Sequence, residues 1–266
     1  MASQGKLDRD ALAKKAIENA CYNPRPGSST LQAAGPVSFQ VGEQEFVALV
    51  GPDRSGASTI LHMIAGLEPA SSGRVLIDGS PPVAPERRAS LVFRNPLLFD
   101  WRSVIGNVLL QARFYRLDPA EAQARARRLL AAAGLAHSID GRCHGLPTAD
   151  RWRVVLCRAL VHEPDALLLD DPLQGLDAIS LANLAGDLQR LVLVRPLAVV
   201  LATAQVTEAV LLADRVLVLS QAPCRLVDSV PIELPRPRRL DRETTPRIAD
   251  YCSRVRTALQ AAGVLV

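Results

Sequence analysis

Aromatic side chains are scarce in this sequence. They make up 4% of a chain that is 48% hydrophobic, so the core has to be built from Leu, Val and Ala, as in an ordinary globular cytosolic protein. A run of about 18 apolar residues, the length a helix needs to cross a bilayer, is missing, which excludes a helical span. The N-terminal MASQGKLDRD has no apolar stretch and so lacks the character of a secretion signal. Low complexity and internal repeats are absent too. The five cysteines, Cys21, Cys143, Cys157, Cys224 and Cys252, are odd in number and match no metal-site or redox spacing, so they read as reduced thiols. The four histidines, His62, His137, His144 and His162, are equally scattered, with no second ligand type at metal spacing. Charge of one sign is lacking as well. The net charge is only +4, and basic and acidic residues are mixed along most of the chain, which favours a solvated surface over a nucleic-acid-binding one.

What is present is an alternation of strands and helices. The 266 residues suffice for one α/β domain with a substantial core, or for a domain plus an insert. Residues 1–15 are polar and read as a flexible N-terminus. Ile17 to Cys21 reads as an edge strand, and Pro24 to Ser29 as a turn rich in Pro, Gly and Ser. The apolar run Phe46 to Val50 leads into Gly51-Pro52-Asp53-Arg54-Ser55-Gly56 and then Ala57 to Ile64. This predicts a buried strand, a glycine-bearing loop and a helix in succession. Arg74 to Gly79 reads as a strand ending in a turn. The middle of the chain, residues 97–160, reads as mostly helical. Asp118, Pro119 and Glu121 supply an N-cap, a first-turn proline and a capping-box acid, and Gly134 a stop. In that helix Arg125, Arg127 and Arg128 read as a solvated face. Three more buried strands, Ala166 to Asp170, Leu197 to Leu201 and Arg215 to Leu219, are separated by helical segments, the pattern of a largely parallel sheet with crossovers. Leu234-Pro235-Arg236-Pro237-Arg238-Arg239 and a final helix close the chain.

In this order the pieces resemble the ATPase subunits of ABC importers, specifically the nitrate, sulfonate and taurine group. The resemblance is carried by Gly42 to Gly51, Gly66 to Gly79, Phe93 to Val108, Arg158 to Asp177, Glu208 to Leu219 and the Leu-Pro-Arg-Pro-Arg of residues 234–238. It implies an α/β fold of the P-loop NTPase, ABC ATPase type: a mostly parallel core sheet, an antiparallel N-terminal β part and an inserted helical subdomain. The implied layout places the core and its β part at 16–96 and 161–230. The helical, signature-bearing subdomain falls at 97–160, and the tail and last helix at 231–266.

The resemblance also implies a role for each site position, and there the sequence departs from the family. A phosphate loop needs small residues for close backbone approach, a lysine to bridge the β- and γ-phosphates, and a hydroxyl on Mg²⁺. The family pattern is Gly-Pro-Ser-Gly-x-Gly-Lys-Ser-Thr; here Ala57 stands at the lysine position and Arg54 at a glycine. Gly51, Ser55, Gly56, Ser58 and Thr59 remain as nucleotide-binding residues, and Ser58 with Asp170 as the Mg²⁺ residues. Loss of one charged donor costs about 1.5–3 kcal/mol. Arg54 reads as a solvent or partner contact rather than a substitute cation. Asp171 takes the position of the glutamate that polarises water and is one methylene shorter; a misplacement of about 1 Å can cost on the order of a hundredfold. Arg94 replaces the glutamine that senses Mg²⁺, and Ala204 the switch histidine. The signature Leu-Ser-Gly-Gly has become Leu146-Pro147-Thr148-Ala149, in which Pro147 offers neither hydroxyl nor N–H and the next two residues add Cβ atoms. Two readings of Tyr22 stand side by side: an adenine-stacking aromatic, or a packed strand-end tyrosine. Asp177 matches the loop that crosses between subunits. Pro96, Trp101, Val104, Asn107 and Val108 match the segment beside the permease-docking groove, with Trp101 and Val104 open to a second reading as core residues.

The expectation is therefore a catalytically impaired nucleotide-binding subunit of an importer for a small anion or related organic solute. ATP and Mg²⁺ would bind weakly. Its partners would be permease subunits, an intact ATPase chain or a second copy, and indirectly a solute-binding protein, with no nucleic acid. It would sit peripherally on the cytoplasmic face of the bacterial inner membrane. A regulatory or scaffolding module using the same fold, and a weak ATPase using Arg54 and Asp171, are the competing readings.

Overall fold

The computed structural model describes residues 15–22, 34–83, 86–193, 197–222, 224–242 and 244–264. Of residues 1–15, expected to be flexible, 1–14 lie outside them, as does the turn at 24–29, whereas Lys15 pairs with Val41 at the start of a strand. Two sheets hold the strands. The larger contains β3 (Phe46–Val50), β5 (Ala89–Val92), β6 (Ala166–Asp170), β7 (Ala198–Thr203), β8 (Arg215–Leu219) and β9 (Leu226–Pro231), in the spatial order β5-β6-β7-β3-β8-β9. The first five are mutually parallel and β9 joins β8 antiparallel. Every residue of β3, β6 and β7 is buried. Strands covered on both faces read as continuous apolar runs, which is why these were visible in the sequence.

The smaller sheet is antiparallel, in the order β2-β1-β4, formed by β1 (Lys15–Tyr22), β2 (Ala34–Val41) and β4 (Ser72–Ile77). This corrects the expectation for residues 17–21. That strand lies in the middle of its sheet, not at an edge, because β2 and β4 pair with it on opposite sides. β2 alternates buried and exposed positions, as a sheet with one wet face requires.

Seven helices are described: α1 (Ala57–Ile64), α2 (Val104–Phe114), α3 (Pro119–Ala132), α4 (Thr148–Leu160), α5 (Ala178–Leu193), α6 (Val206–Leu212) and α7 (Thr244–Ala261). In α3 the Asp118 carboxylate accepts from the Glu121 N–H at 2.9 Å and Pro119 opens the first turn, as expected of this cap. Gly134 ends the segment with φ +77°, a conformation that glycine adopts without strain. Ala122, Ala126 and Leu130 recur every fourth residue and form its buried stripe. Arg127 and Arg128 face solvent. Arg125 does not belong to that solvated face. Its guanidinium donates to the Val161 carbonyl at 2.9 Å and pairs with Glu163.

Three apolar clusters hold these layers. One packs α4 to α7 on one face of the large sheet. The second joins the two sheets through Ile60, Leu61, Met63 and Ile64 of α1. The third belongs to α2, α3 and α4, with Val104, Val108, Leu130 and Val154 inside it. Arg238 ties the tail to α6. Its side chain is fully buried and donates to the carbonyls of Val210 and Ala213 at 2.7 and 2.6 Å, and to those of Ile232 and Leu234. The C-terminal carbonyls of a helix have no partner within it, so a cation there serves as a cap. Arg236 anchors the same tail on Asp214 and on the Gln44 carbonyl, both at 2.9 Å. Among the described residues no helix is long and apolar enough to cross a membrane.

Candidate functional site

A cavity of about 630 Å³ opens at the C-terminal ends of β3, β6 and β7, where strand ends of a parallel sheet leave a crevice. Residues 51–59 form one wall, and Arg94, Asp170, Asp171 and Thr203 lie opposite. The loop geometry follows from its glycines. A Cβ on Gly51 would come within 3.0 Å of Ser55 and 3.1 Å of Leu219, a crowding that glycine avoids where the chain leaves β3. Gly56, at φ +101°, turns the chain into α1. Arg54 takes φ +63°, a left-handed conformation unfavourable for a side chain and costing roughly 1 kcal/mol. Ser55 and Thr59 are buried beneath the loop, while Arg54 itself is exposed. No side chain caps the N-terminus of α1, the end of a helix that suits an anion, and this end lines the cavity. Ala57 brings no charge to that end.

At the next position the Ser58 hydroxyl donates to Asp170 Oδ1 at 2.7 Å. A hard divalent cation needs oxygen ligands of this kind beside a phosphate. The hydroxyl, the carboxylate and the open helix end fit Mg²⁺ with a phosphate chain, except for the cation that Ala57 does not supply.

Asp171 follows directly, at φ +50°, with its N–H donating to the Ala202 carbonyl at 2.8 Å. Its side chain is 4% exposed, and Oδ2 lies 3.4 Å from the Arg94 guanidinium, which is half exposed. Its Oδ1 lies 3.1 Å from the Thr203 hydroxyl, and that same hydroxyl is 2.9 Å from Glu208 Oε2. Thr203 Oγ1 also accepts from the Gln205 N–H at 3.0 Å. A hydroxyl has one hydrogen to donate. It serves one carboxylate, and the other carboxyl completes the network by carrying a proton of its own. Burial favours that protonated form for Glu208: it pushes the carboxyl up to about 7, opposed by the Thr203 hydrogen bond and aided by the nearby Asp171 charge. Burial raises Asp171 too, opposed by the Thr203 hydrogen bond and by Arg94.

The remaining predicted positions lie apart from this cluster. Ala204 lines the cavity without a ring to offer. Leu146 precedes Pro147, which takes the N-cap position of α4 with no side-chain hydrogen bond, and Thr148 and Ala149 open the helix. Asp177 caps α5 by accepting from the N–H groups of Ile179 and Ser180, each at 3.0 Å, and a hydrogen bond from the Ser180 side chain, together with these backbone bonds, holds its carboxyl below the ordinary range. Tyr22 is 5% exposed, sits in the cluster between the sheets and donates to Glu68 at 3.3 Å. That is the packed strand-end arrangement.

The loop after Pro96 divides the readings left open there. Val104 and Val108 are fully buried core residues, whereas Trp101 is 70% exposed and meets Phe99 edge to face. Asn107 fixes this loop, accepting from the Phe99 N–H at 2.8 Å and donating to the carbonyls of Phe99 and Ser103. Arg158 donates to the Leu97 carbonyl at 2.6 Å. Leu97, Phe99 and Trp101 are thereby held outward on a rigid support. Sequence reading missed Thr203 and Glu208 as members of the site. Glu208 was visible only as a buried acid in an otherwise apolar helix, and nothing local names its partners.

Strand order, phosphate loop and the Ser58–Asp170 pair define a P-loop nucleotide-binding domain of the ABC ATPase type. The comparisons place it further: the ABC transporter family model matches residues 34–174, and the chain belongs to that family. An aliphatic sulfonates import ATP-binding protein of Pseudomonas fluorescens is 40% identical over 202 residues, covering 76% of this chain and 72% of the relative. A nitrate import ATP-binding protein of Synechococcus elongatus is 32% identical over 88% of this chain and 36% of its own length. Among solved structures, cbiO1 of Clostridium perfringens, part of the cbiONQ ABC transporter complex, superposes with a TM-score of 0.74 at 25% identity, covering 83% of this chain and 89% of that one. A dimeric ATP-binding cassette holding ADP and Pi shares the fold, with a TM-score of 0.70 at 24% identity over 83% of this chain and 99% of that one.

Proposed function

We propose that this chain is a catalytically impaired nucleotide-binding subunit of an ABC importer, working beside an intact ATPase chain beneath permease subunits on the cytoplasmic membrane face. The state of Asp171 carries this reading. The carboxylate that would activate water is buried, with one oxygen engaged by Thr203 and the other facing Arg94. In this conformation both oxygens are engaged, and the side chain is one methylene shorter than the glutamate of the family pattern. The other positions add to this. Ala57 supplies no cation, Ala204 no imidazole, and Pro147 no hydroxyl at the end of α4. Each such loss costs about 10²–10⁴ in rate, and losses within one site do not simply add.

Binding is a separate matter. The uncapped N-terminus of α1 and the loop from Gly51 to Gly56 orient phosphates, with the buried Ser55 and Thr59 supporting the loop. Ser58 and Asp170 hold Mg²⁺, which neutralises phosphate charge when bound. Leu97, Phe99 and Trp101 form the apolar face offered to a permease, and Asp177 lies on the surface that meets the second ATPase chain. The solute is a small anion or related organic compound, by likeness to relatives named for the import of sulfonates and nitrate.

The test is to purify the chain alone and with the proteins that accompany it in mild detergent, then measure ATP turnover. The expected result is turnover only in the complex, abolished when the partner chain's glutamate is replaced. Turnover by the isolated chain would overturn the reading.

A further inference from the structure

We propose that Arg94 is the phosphate-binding cation of this pocket, exchanging its Asp171 partner for the terminal phosphate of a nucleoside triphosphate. The inference rests on the nucleotide-binding reading above and adds to it the residue that discriminates triphosphate from diphosphate.

Arg94 stands two residues beyond β5 and lines the cavity opposite the phosphate loop. Its contact with Asp171 is loose. One guanidinium nitrogen lies 3.4 Å from Oδ2, longer than the roughly 2.7–2.9 Å of a strong charge-assisted bond. Among the described residues no further hydrogen bond holds this side chain, and half of it is exposed. Asp171, by contrast, keeps its Thr203 bond whether or not Arg94 stays. The arginine is thus the movable member of the pair.

A phosphate is the better partner for it. The guanidinium fork matches two phosphate oxygens at once, whereas here it meets a single carboxylate oxygen. Two features of the pocket give the direction in which the phosphates extend. The loop and the N-terminus of α1 receive the inner phosphates, and the Ser58–Asp170 pair marks the Mg²⁺ end. Asp171 is the next residue after Asp170, and Arg94, paired with it, lines the cavity beside that end; in this proposal the third phosphate is the one that meets it. Because Ala57 leaves that end without a lysine, Arg94 is the lining cation that faces it. The other lining arginine, Arg54, is an exposed residue within the loop itself. One arginine shared between two anions makes the contacts exclusive: a diphosphate leaves Arg94 on Asp171, and a triphosphate draws it away.

The experiment titrates the full chain, with Mg²⁺, against N-methylanthraniloyl ATP and ADP and reads Kd by fluorescence. The wild type is expected to hold ATP about ten- to a hundredfold tighter than ADP, the worth of one charged hydrogen-bonding group. R94A should bring the two affinities together by weakening ATP alone, with ADP unchanged. Adding A57K to R94A should restore the preference by returning a cation from the opposite wall, which shows that the charge was lost and not the fold. If R94A leaves the ATP-to-ADP ratio unchanged, or weakens both nucleotides equally, Arg94 is not the discriminating cation although the pocket still binds nucleotide. If the wild type binds neither nucleotide at millimolar concentration, the nucleotide-binding reading falls and this inference with it.

Discussion

Glu208 should make the protein less stable as pH rises from 5 to 8, and Glu208→Gln should remove that loss. The ordinary value for this carboxyl is 4.5, and in the folded chain burial pushes it up to about 7. A carboxyl raised on folding binds its proton more tightly in the native state. Its contribution is therefore complete below 4.5 and is lost as pH rises through 7. At 1.36 kcal/mol per tenfold change in affinity for the proton, the full loss is on the order of 3 kcal/mol, of which about 2–3 kcal/mol falls between pH 5 and 8. The side chain is 2% exposed, so solvent screens little of this. Gln is the matched substitution because its amide donates to Thr203 Oγ1 as the protonated acid would, leaving the threonine hydrogen for Asp171. The assay is urea unfolding of wild type and E208Q at several pH values. Every other titration is common to the two proteins, so the difference between their unfolding free energies isolates Glu208. That difference should move by about 2–3 kcal/mol against the wild type between pH 5 and 8. Parallel profiles would refute the reasoning, since they would mean that Glu208 ionises in the folded chain as it does in the unfolded one.

Two further outcomes follow from the geometry. Arg238→Met should lower unfolding free energy by about 3–5 kcal/mol, because it leaves the carbonyls of Val210, Ala213, Ile232 and Leu234 buried without their donor; a lowered urea midpoint at unchanged slope checks this. Trp101→Glu should leave stability within about 0.5 kcal/mol of wild type, since the side chain is 70% exposed, yet abolish recovery of permease subunits in a detergent pull-down; equal recovery removes Trp101 from the docking surface.

The parts of the fold legible in the sequence are those whose burial is symmetric. β3, β6 and β8 occupy the stretches read from the sequence, because a strand whose residues are nearly all buried shows as a mostly apolar run whatever its register. β1 shows the limit of such reading. Its residues mark a strand, but whether it is central or at an edge depends on β2 and β4, which arrive from elsewhere in the chain. β5 is only four residues long and β9 is mostly exposed, so neither presents a run that stands out. Arg125 was misread for a similar reason. Helical spacing puts it beside the buried stripe, and only the tertiary position of the Val161 carbonyl turns it inward.

The site was legible position by position and illegible as a set of pairs. Taken one at a time, Ala57, Arg94, Asp171 and Ala204 look like independent losses. The contacts say otherwise for two of them. A buried carboxylate with one hydroxyl partner is costly, and burial does raise Asp171. An arginine at position 94 offsets that cost from a distance of 3.4 Å, where a neutral glutamine would bring no charge. The same arginine is accommodated because position 171 still carries a carboxylate. Each substitution makes the other tolerable, and Thr203 links the pair to Glu208 and so to α6, whose far end Arg238 caps. Unconstrained decay would leave such charges unmatched. Their matching is the physical reason to treat the pocket as a binding site, and it is why Arg94, more than any missing residue, is the position at which to test the proposed role of this chain.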